Sequence, residues 1–535
     1  MHTVIYHANA YVARDRFAQA LWIEDGVIRQ VGSDEEILAA APADAQRIDA
    51  QGHTLVPGFI DSHQHLYHVG QNLLTVDLSH CTSLDQIVEA GRQFIQQHQV
   101  PPGETVQGWG WNQDYFTEGP KMPTRHTLDQ ISTEHPLLFT RACGHVMTCN
   151  TLALQKAGVW DEVPQVEGGQ LDLEEDGRPN GIVRESNAKQ LFDGLLPQET
   201  EAKQEQILQA AMDYAAKKGV TSVQTNDVAG DNFAQMLSLY DRITHDRRSL
   251  RVYMQCCMMT KEQLQAFLDA GHRTGKGDEW LKIGPLKMFT DGSLGARTAL
   301  MRQDYADAPG QRGIEILTQQ ELDELVRMAD ENGMQIAIHA IGDKANEMVL
   351  DSYQKVIGPE GNTHRHGIVH CQITDLPMLK RYQQMDVYAM AQPIFLHYDL
   401  HIVEDRVGKE LAATSYAFHT MNQMGLHVSY GTDSPVEDMD PIQNLHCAVC
   451  RQDLKHFPAG GYVPEERVDI FQAVDDYTIG GAQNAFEENQ KGRLQPGYLA
   501  DLVMLDQDIF HVPSDKILDT QVLMTMVGGK VVYEK

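Results

Sequence analysis

The feature that most constrains this chain is an alternation in its middle, where short apolar segments are separated by amphipathic stretches such as TQQELDELVRMADENG. Strands that alternate with helices in this way are typical of βα units and a parallel sheet. Eight such segments predict an α/β protein built on a (β/α)8 TIM barrel. The predicted strands are 55–62, 219–225, 250–257, 282–290, 334–340, 366–371, 386–391 and 426–432.

The spacing of these strands indicates further domains. The first two strands lie too far apart for one βα connection, so residues 76–215 are predicted to form an inserted subdomain after strand 1. Both ends of the chain, residues 1–56 and 490–535, consist of short β-like runs with turn signals. We expect the two ends to meet in one β-sandwich, which leaves 57–489 for the barrel domain.

The charge and the cysteines limit the classes of partner. The chain has 43 Lys and Arg against 75 Asp and Glu, a formal net charge of −32. Such a surface repels nucleic-acid phosphates and anionic membranes, so neither is expected as a partner, and solubility accounts for the acidity. Cys447 and Cys450 lack a second C-x-x-C pair. Without a signal-peptide pattern or a long apolar run, we expect a cytoplasmic protein with mostly buried thiols.

The stretch LVPGFIDSHQHLYH places two imidazoles at the end of an apolar strand. Residues i and i+2 of a strand share a face, so Asp61, His63 and His65 point the same way if the strand continues through them. Two neighbouring imidazoles suit one metal ion, although a polar surface turn explains the pattern equally well. Asp61 either orients an imidazole or caps the turn.

Other polar residues occupy the same position on later strands. Barrel enzymes place their chemistry at the C-terminal ends of the strands. Each residue alone has an ordinary explanation, such as a capped histidine or an N-cap aspartate, but six in this order are hard to explain by chance. The six are His63, His65, Lys287, His339, His370 and Asp433.

These motifs carry a family resemblance. PGFIDSHQHL, LKMFTDGSLGARTAL, IAIHAIGD, GIVHCQ and GTDSPVEDMDP resemble the metal-dependent amidohydrolase superfamily, and most closely its amidohydrolase 3 branch of N-substituted formamide deformylase-like enzymes. The insert, with GWGWNQDYFTEGPKMPTRHTLDQISTEHPLLFTRACGHVMTCNTLAL, resembles that branch too. The likeness covers nearly the whole chain.

The resemblance implies a role for each of the six residues. His63 and His65 would hold the more buried metal, and His339 and His370 a second one. Lys287 would bridge the metals after carboxylation, while Asp433 would bind metal and act as general base. The cofactor implied is a divalent metal such as zinc, as one or two ions.

The position of Lys287 also follows from the strand itself. Alternation puts Lys287 on the opposite face from Leu286 and Met288, so it points into the barrel if those two pack outward. Burial of an ammonium lowers its pKa and leaves some neutral amine, the form that reacts with carbon dioxide. The structural alternative is a lysine paired with Asp291 or Asp433.

Residues on the substrate side are predicted by the resemblance alone. His145 is expected among the catalytic and substrate-binding residues, joined on the substrate side by Glu185, Asp291 and Trp111. Trp109 belongs to the same motif. The alternative for His145 and the tryptophans is internal packing of the insert.

The function implied is hydrolysis of non-peptide C–N bonds, such as N-formyl or N-acyl amides, by metal-activated hydroxide with Asp433 as general base. Two alternatives stay open: a cyclic amide or amidine hydrolase with the same metal centre, and a regulatory or binding protein that retains the fold without turnover. The substrate would be a small-molecule amide. The sequence leaves open the metal identity, the number of ions and whether the protein is a homodimer.

Overall fold

The computed structural model describes residues 1–141, 145–167, 169–196 and 200–535. Its centre is a sheet of eight parallel strands in which sequential neighbours pair. A barrel strand is present at each of the eight predicted places, and the barrel prediction is confirmed, although residues 55–57 of the first predicted strand belong to a different sheet. The barrel strands are β1 (Phe59–Gln64), β2 (Val220–Ala229), β3 (Arg251–Cys257), β4 (Leu281–Phe289), β5 (Ile336–Ala340), β6 (Gly367–His370), β7 (Tyr388–Ala391) and β8 (Val428–Tyr430).

The barrel is closed at its C-terminal end, where β8 returns to β1. The Asp433 backbone N–H donates to His63 O at 2.8 Å, and the His65 N–H donates to Ser434 O at 2.8 Å. The Asp61 carboxylate accepts from Thr432 Oγ1 and from the His63 N–H, which ties the two strands together. These bonds hold residues from opposite ends of the barrel sequence beside each other.

Helices cover the outside of the barrel because each has one apolar face. Gln319–Glu331 begins at a capping box of Thr318 and Glu321 and buries the side chains spaced along one face. The other helices of seven residues or more in this part of the described chain are Phe233–Arg247, Lys261–Asp269, Asp343–Val356, Leu376–Met385, Pro441–Cys450 and Ile470–Asp476. Leu66–Leu73 and Glu201–Lys217 each contain a boundary with the insert.

The two chain ends share a β-sandwich. One sheet contains only N-terminal strands, whereas the other pairs Thr54–Pro57 with Leu502–Leu505, with Val56 opposite Val503. Residues from both ends form its apolar core, including Leu55, Leu502 and Met526. The strands are His2–Tyr6, Asn9–Ala13, Arg16–Ala18, Ala20–Glu24, Val27–Gly32, Gln46–Asp49, Thr54–Pro57, Leu502–Leu505, Val522–Val527 and Lys530–Glu534, with one helix at Asp34–Ala40.

The insert after β1 is a separate compact unit, Val69–Ala210. It contains a six-stranded mixed sheet and its own apolar core. The strands are Val76–Asp77, Val106–Trp111, Leu137–Arg141, Val146–Cys149, Gln170–Leu173 and Pro179–Arg184, with helices at Leu84–Gln97, Arg125–Asp129, Thr151–Lys156 and Glu185–Lys189. Residues 142–144 of the insert motif lie outside the described residues.

Two global features were also predicted. Among the described residues, no helix is both long and apolar enough to cross a membrane. The seven cysteines in the described part of the chain are buried free thiols. Cys447 and Cys450 each donate to a carbonyl oxygen, of Gln452 and Ser514 respectively.

Candidate metal centre

Five of the six predicted ligands converge at the C-terminal end of the barrel. Ring centroids are 5.5 Å apart for His63 and His65, 5.5 Å for His63 and His370, and 4.4 Å for His339 and His370. Asp433 Oδ1 lies 3.3 Å from His63 Nε2 and 3.4 Å from His65 Nε2. Residues more than 360 positions apart in sequence therefore form one cluster because parallel strands end at the same rim.

The orientation of His63 is fixed by Gln255 on β3. Its Nδ1 lies 2.7 Å from Gln255 Oε1, and Gln255 Nε2 donates to Ser62 O at 3.1 Å. Because a carbonyl only accepts, the amide nitrogen must face Ser62 and the amide oxygen must face His63. The His63 Nδ1 therefore carries the proton, and its Nε2 presents a lone pair.

The other imidazoles are held in the same way. His370 Nδ1 lies 2.8 Å from Gln392 Oε1, and His65 Nδ1 lies 3.0 Å from Asn226 O. His339 is reversed, since its Nε2 lies 3.0 Å from Gly292 O. Each contact directs a ring proton at an oxygen and leaves the opposite nitrogen with a lone pair.

This donor set fits a metal ion. The Nε2 atoms of His63 and His65 face the carboxylate of Asp433. Burial lowers the pKa of His65, but Asp433 outweighs it and raises that pKa, so a positive charge is favoured at this point, either as a proton on His65 or as a metal ion. Burial lowers the pKa of His63 to about 4, which keeps the ring neutral as a ligand requires. Burial and the neighbouring His339 hold the pKa of His370 well below its usual range. Imidazole and carboxylate donors suit zinc and similar ions.

Lys287 lies inside the barrel, as alternation predicted, with no exposed surface. Its Nζ lies 3.4 Å from Met288 O and 3.8 Å from the centroid of the Phe289 ring. Burial lowers the pKa of Lys287 to about 8, although Cys257, Asp433 and Asp291 act to raise it. Within the described chain Lys287 forms no ion pair with either aspartate, so the predicted pairing alternative loses its support.

Two aspartates of the motifs have other contacts. The Asp61 carboxylate bonds to backbone and to Thr432 rather than to an imidazole, which favours the capping alternative. Asp291 is 1% exposed, and it accepts hydrogen bonds from the N–H groups of Leu300, Ile341 and Gly342. With these contacts Asp291 organises the loop after β4, and its Oδ1 lies 3.2 Å from His339 Nε2.

The predicted residues of the insert divide into two kinds. His145 Nδ1 lies 3.0 Å from Glu185 Oε2, and both side chains are more than half exposed. Glu185 has a φ of 66°, a conformation unusual for this residue. Trp111 is fully buried, and its Nε1 donates to Phe139 O at 2.9 Å. This position supports internal packing for Trp111, whereas Trp109 is 51% exposed.

Sequence reasoning missed Gln255 and Gln392, the two amides that orient imidazoles. Gln255 lies in the fully buried strand β3, and Gln392 directly follows β7. The available signal was Gln255 itself, an amide in an otherwise apolar stretch of strand. A buried amide needs a hydrogen-bond partner, so it indicated a polar group on the face to which it points. Which imidazole it would meet depends on the barrel and could not be predicted locally.

The comparisons with known proteins identify the family of the chain. The amidohydrolase family model matches residues 46–533. YtcJ of Bacillus subtilis (strain 168) is 31% identical over 520 residues, covering 97% of this chain and 96% of the relative. N-substituted formamide deformylase of Arthrobacter pascens is 26% identical over 552 residues, covering 99% and 98%.

A solved structure gives the same result. A metal-dependent hydrolase from Pyrococcus horikoshii OT3 superimposes with a TM-score of 0.74 at 26% identity, over 96% of this chain and 99% of that one. The family model covers most of the chain, and YtcJ is similar along nearly its whole length. The chain therefore belongs to the amidohydrolase family of metal-dependent hydrolases.

Proposed function

We propose that this protein hydrolyses a non-peptide C–N bond in a small-molecule amide, of the N-formyl or N-acyl class. The observation that carries the proposal is the group of His63, His65 and Asp433, whose ligand atoms lie within 4.8 Å of one another, with His370 and His339 beside it. His63, His65 and Asp433 would hold one ion, and His339 with His370 a second. A bound zinc-like ion supplies Lewis acidity, which polarises a carbonyl and acidifies a water molecule.

Asp433 is the residue that moves the proton. Its carboxylate accepts a proton from the water that attacks the amide carbon, and it then donates that proton to the leaving nitrogen as the C–N bond breaks. The backbone holds this carboxylate in place, because Asp433 has a φ of 56° and its N–H donates to His63 O. A non-glycine residue in this conformation at a functional position is consistent with a built-in constraint.

Lys287 is proposed to be carboxylated. Its lowered pKa leaves an appreciable fraction of neutral amine near neutral pH. The Nζ lone pair forms a bond to the carbon of carbon dioxide and loses a proton, giving a carbamate with anionic oxygens that can ligate. An ammonium at the same place could not ligate a cation.

Two aromatic rings line the same end of the barrel. Phe395 stacks on His370 at 5.7 Å between centroids, and Phe289 lies 5.4 Å from His339. Both rings are partly exposed, so they restrict water and offer an apolar wall to the substrate. An amide with an apolar substituent fits this wall, and the Arthrobacter pascens relative is named for N-substituted formamides.

The test is a panel of N-formyl, N-acyl and cyclic amides incubated with zinc-reconstituted protein. We expect turnover of at least one linear N-substituted amide by the wild type, and turnover at least about 100-fold slower by Asp433→Asn at equal zinc content. Turnover restricted to cyclic amides would overturn the substrate class. If fully metal-loaded protein turns over no amide in the panel, the regulatory or binding alternative gains support.

A further inference from the structure

A second group of metal-ligating side chains lies beside the proposed metal centre. Ligand atoms of His65, His68 and Asp227 lie within 4.8 Å of one another. The rings of His65 and His68 stack with 5.6 Å between their centroids. His68 and Asp227 have no part in the ligand set described above, so their position raises the question of what they bind.

In the described part of the chain, only one of the two carboxylate oxygens of Asp227 accepts hydrogen bonds. Its Oδ2 accepts hydrogen bonds from the Tyr67 N–H, from Thr225 Oγ1 and from Tyr240 OH. Its Oδ1 is buried and has no hydrogen-bond partner in the part of the chain that the structure describes. A buried carboxylate oxygen without a donor is unfavourable, and a cation would satisfy it.

His68 supplies a second ligand at this position. It lies in the first turn of the helix Leu66–Leu73, and its side chain is exposed and accessible to an ion from solvent. The neighbouring His65 has its Nδ1 committed to Asn226 O and its Nε2 beside Asp433. An ion near His68 and Asp227 would thus have two free protein ligands and would complete its shell with water.

A second group with similarly close ligand atoms, Asp330, His364 and His366, does not form a comparable cation site. Asp330, His364 and His366 also have ligand atoms within 4.8 Å of one another. There the Ile336 N–H donates to His366 Nδ1, so the proton of that ring lies on Nε2 and is directed at Asp330 Oδ1, 3.0 Å away. His366 has no lone pair left for a cation, and Oδ1 of Asp330 is already in contact with a nitrogen of both His364 and His366.

We propose that His68 and Asp227 form an auxiliary divalent-cation site beside His65, filled only when zinc exceeds the amount that the metal centre holds. Two protein ligands bind an ion more weakly than the larger set of the centre does. An ion at this position would obstruct the approach to His65 and slow turnover, so excess zinc should inhibit. The inference depends on the proposed function only through the neighbouring metal centre.

Equilibrium dialysis tests the site without any substrate. Metal-free wild type, His68→Ala, Asp227→Asn and the control His364→Ala are dialysed against zinc from limiting to excess concentration. We expect equal binding at limiting zinc, and one ion fewer per chain at excess zinc in His68→Ala and Asp227→Asn. His364→Ala should match the wild type throughout.

A second readout locates the ion. A zinc-edge anomalous map of wild-type crystals grown in excess zinc should contain a peak between His68 and Asp227 that the His68→Ala crystals lack. Equal stoichiometry in wild type, His68→Ala and Asp227→Asn at every zinc concentration would overturn the site. Asp227→Asn keeps the size of the side chain. If His68→Ala misfolds, the zinc stoichiometry of Asp227→Asn still tests whether the site exists.

Zinc inhibition of turnover tests the inhibitory role of this site separately from the proposed function. If some amide is hydrolysed, excess zinc should inhibit the wild type at a concentration at least about tenfold lower than it inhibits His68→Ala, since loss of a ligand weakens binding by at least that factor. The dialysis result stands whether or not any amide is turned over. Inhibition identical in the two proteins would contradict the inhibitory role.

Discussion

The barrel and the insert contrast in how they hold their candidate functional residues. In the barrel, His63, His370 and Lys287 are at most 4% exposed, and each histidine is fixed by a hydrogen bond to a buried amide. In the insert, His145 and Glu185 form an exposed pair. The difference indicates that the barrel side chains are preorganised by their buried surroundings. The side chains of His145 and Glu185 have mainly their contact with each other.

The contrast has an energetic basis. A buried imidazole with its proton directed at an amide oxygen keeps one ring orientation, because every alternative leaves a buried polar group without a partner. An exposed ion pair contributes about 0–1 kcal/mol to stability and is replaced by water at little cost. Substitutions in the barrel should therefore reduce metal binding and catalysis together, and substitutions in the insert should affect them separately.

The largest effect is expected for Asp433→Asn. The variant lacks the group that accepts and returns the proton, so kcat should fall by about 10²–10⁴-fold. Steady-state kinetics with the amide found in the panel, at zinc content matched to the wild type, measures it. Activity within tenfold of the wild type would remove Asp433 from the proton-transfer role.

Lys287→Ala should lose metal and activity together, with partial rescue by a short carboxylic acid that replaces the carbamate oxygens. The reason is that the proposed carbamate supplies the anionic bridge, which alanine cannot. Metal content by atomic absorption and turnover with and without added propionate provide the measurement. Two tightly bound ions with full turnover in the variant would eliminate the bridging role.

Gln255→Leu should weaken zinc binding by about 10–100-fold, because His63 loses the acceptor that fixes its proton on Nδ1. Gln255→Glu retains an acceptor and should recover much of the affinity. A competition assay with a chromogenic chelator measures both. The matched control is Gln263→Leu, on a helix outside the barrel, which should bind zinc as the wild type does.

His145→Ala should lower kcat/KM by about tenfold, the loss typical of one hydrogen bond to a charged or reacting group, while the zinc content stays unchanged. Glu185→Gln should have a smaller effect in the same direction. Values of kcat/KM equal to the wild type for both variants would show that the exposed pair has no part in substrate binding.

The smallest catalytic effect is expected for Trp111→Phe. The lost hydrogen bond to Phe139 O should lower the free energy of unfolding by about 1–3 kcal/mol while kcat stays near the wild-type value. Urea denaturation followed by fluorescence measures the first and steady-state kinetics the second. A change in kcat without a change in stability would favour a substrate role for Trp111.

The sequence by itself determined the barrel and the order of its functional residues. Apolar segments with helical stretches between them define strands and helices locally, and parallel strands necessarily end at one rim. Alternation put Lys287 on the face opposite Leu286 and Met288, which is the inner face once those two pack outward. His63 and His65 in IDSHQH were predicted to share one face of a strand, and the neighbouring strands supply the other ligands of the site.

Only the tertiary structure decided which atoms of those residues are available. The tautomer of His63 depends on Gln255, which lies 192 positions away in the sequence. Asp61 was predicted near an imidazole or in a turn, and the structure placed its carboxylate against Thr432, 371 positions away. Such contacts depend on strand register and barrel closure, which local propensity does not contain. The chemistry of each side chain could be named from the sequence, and its hydrogen-bond partner could not.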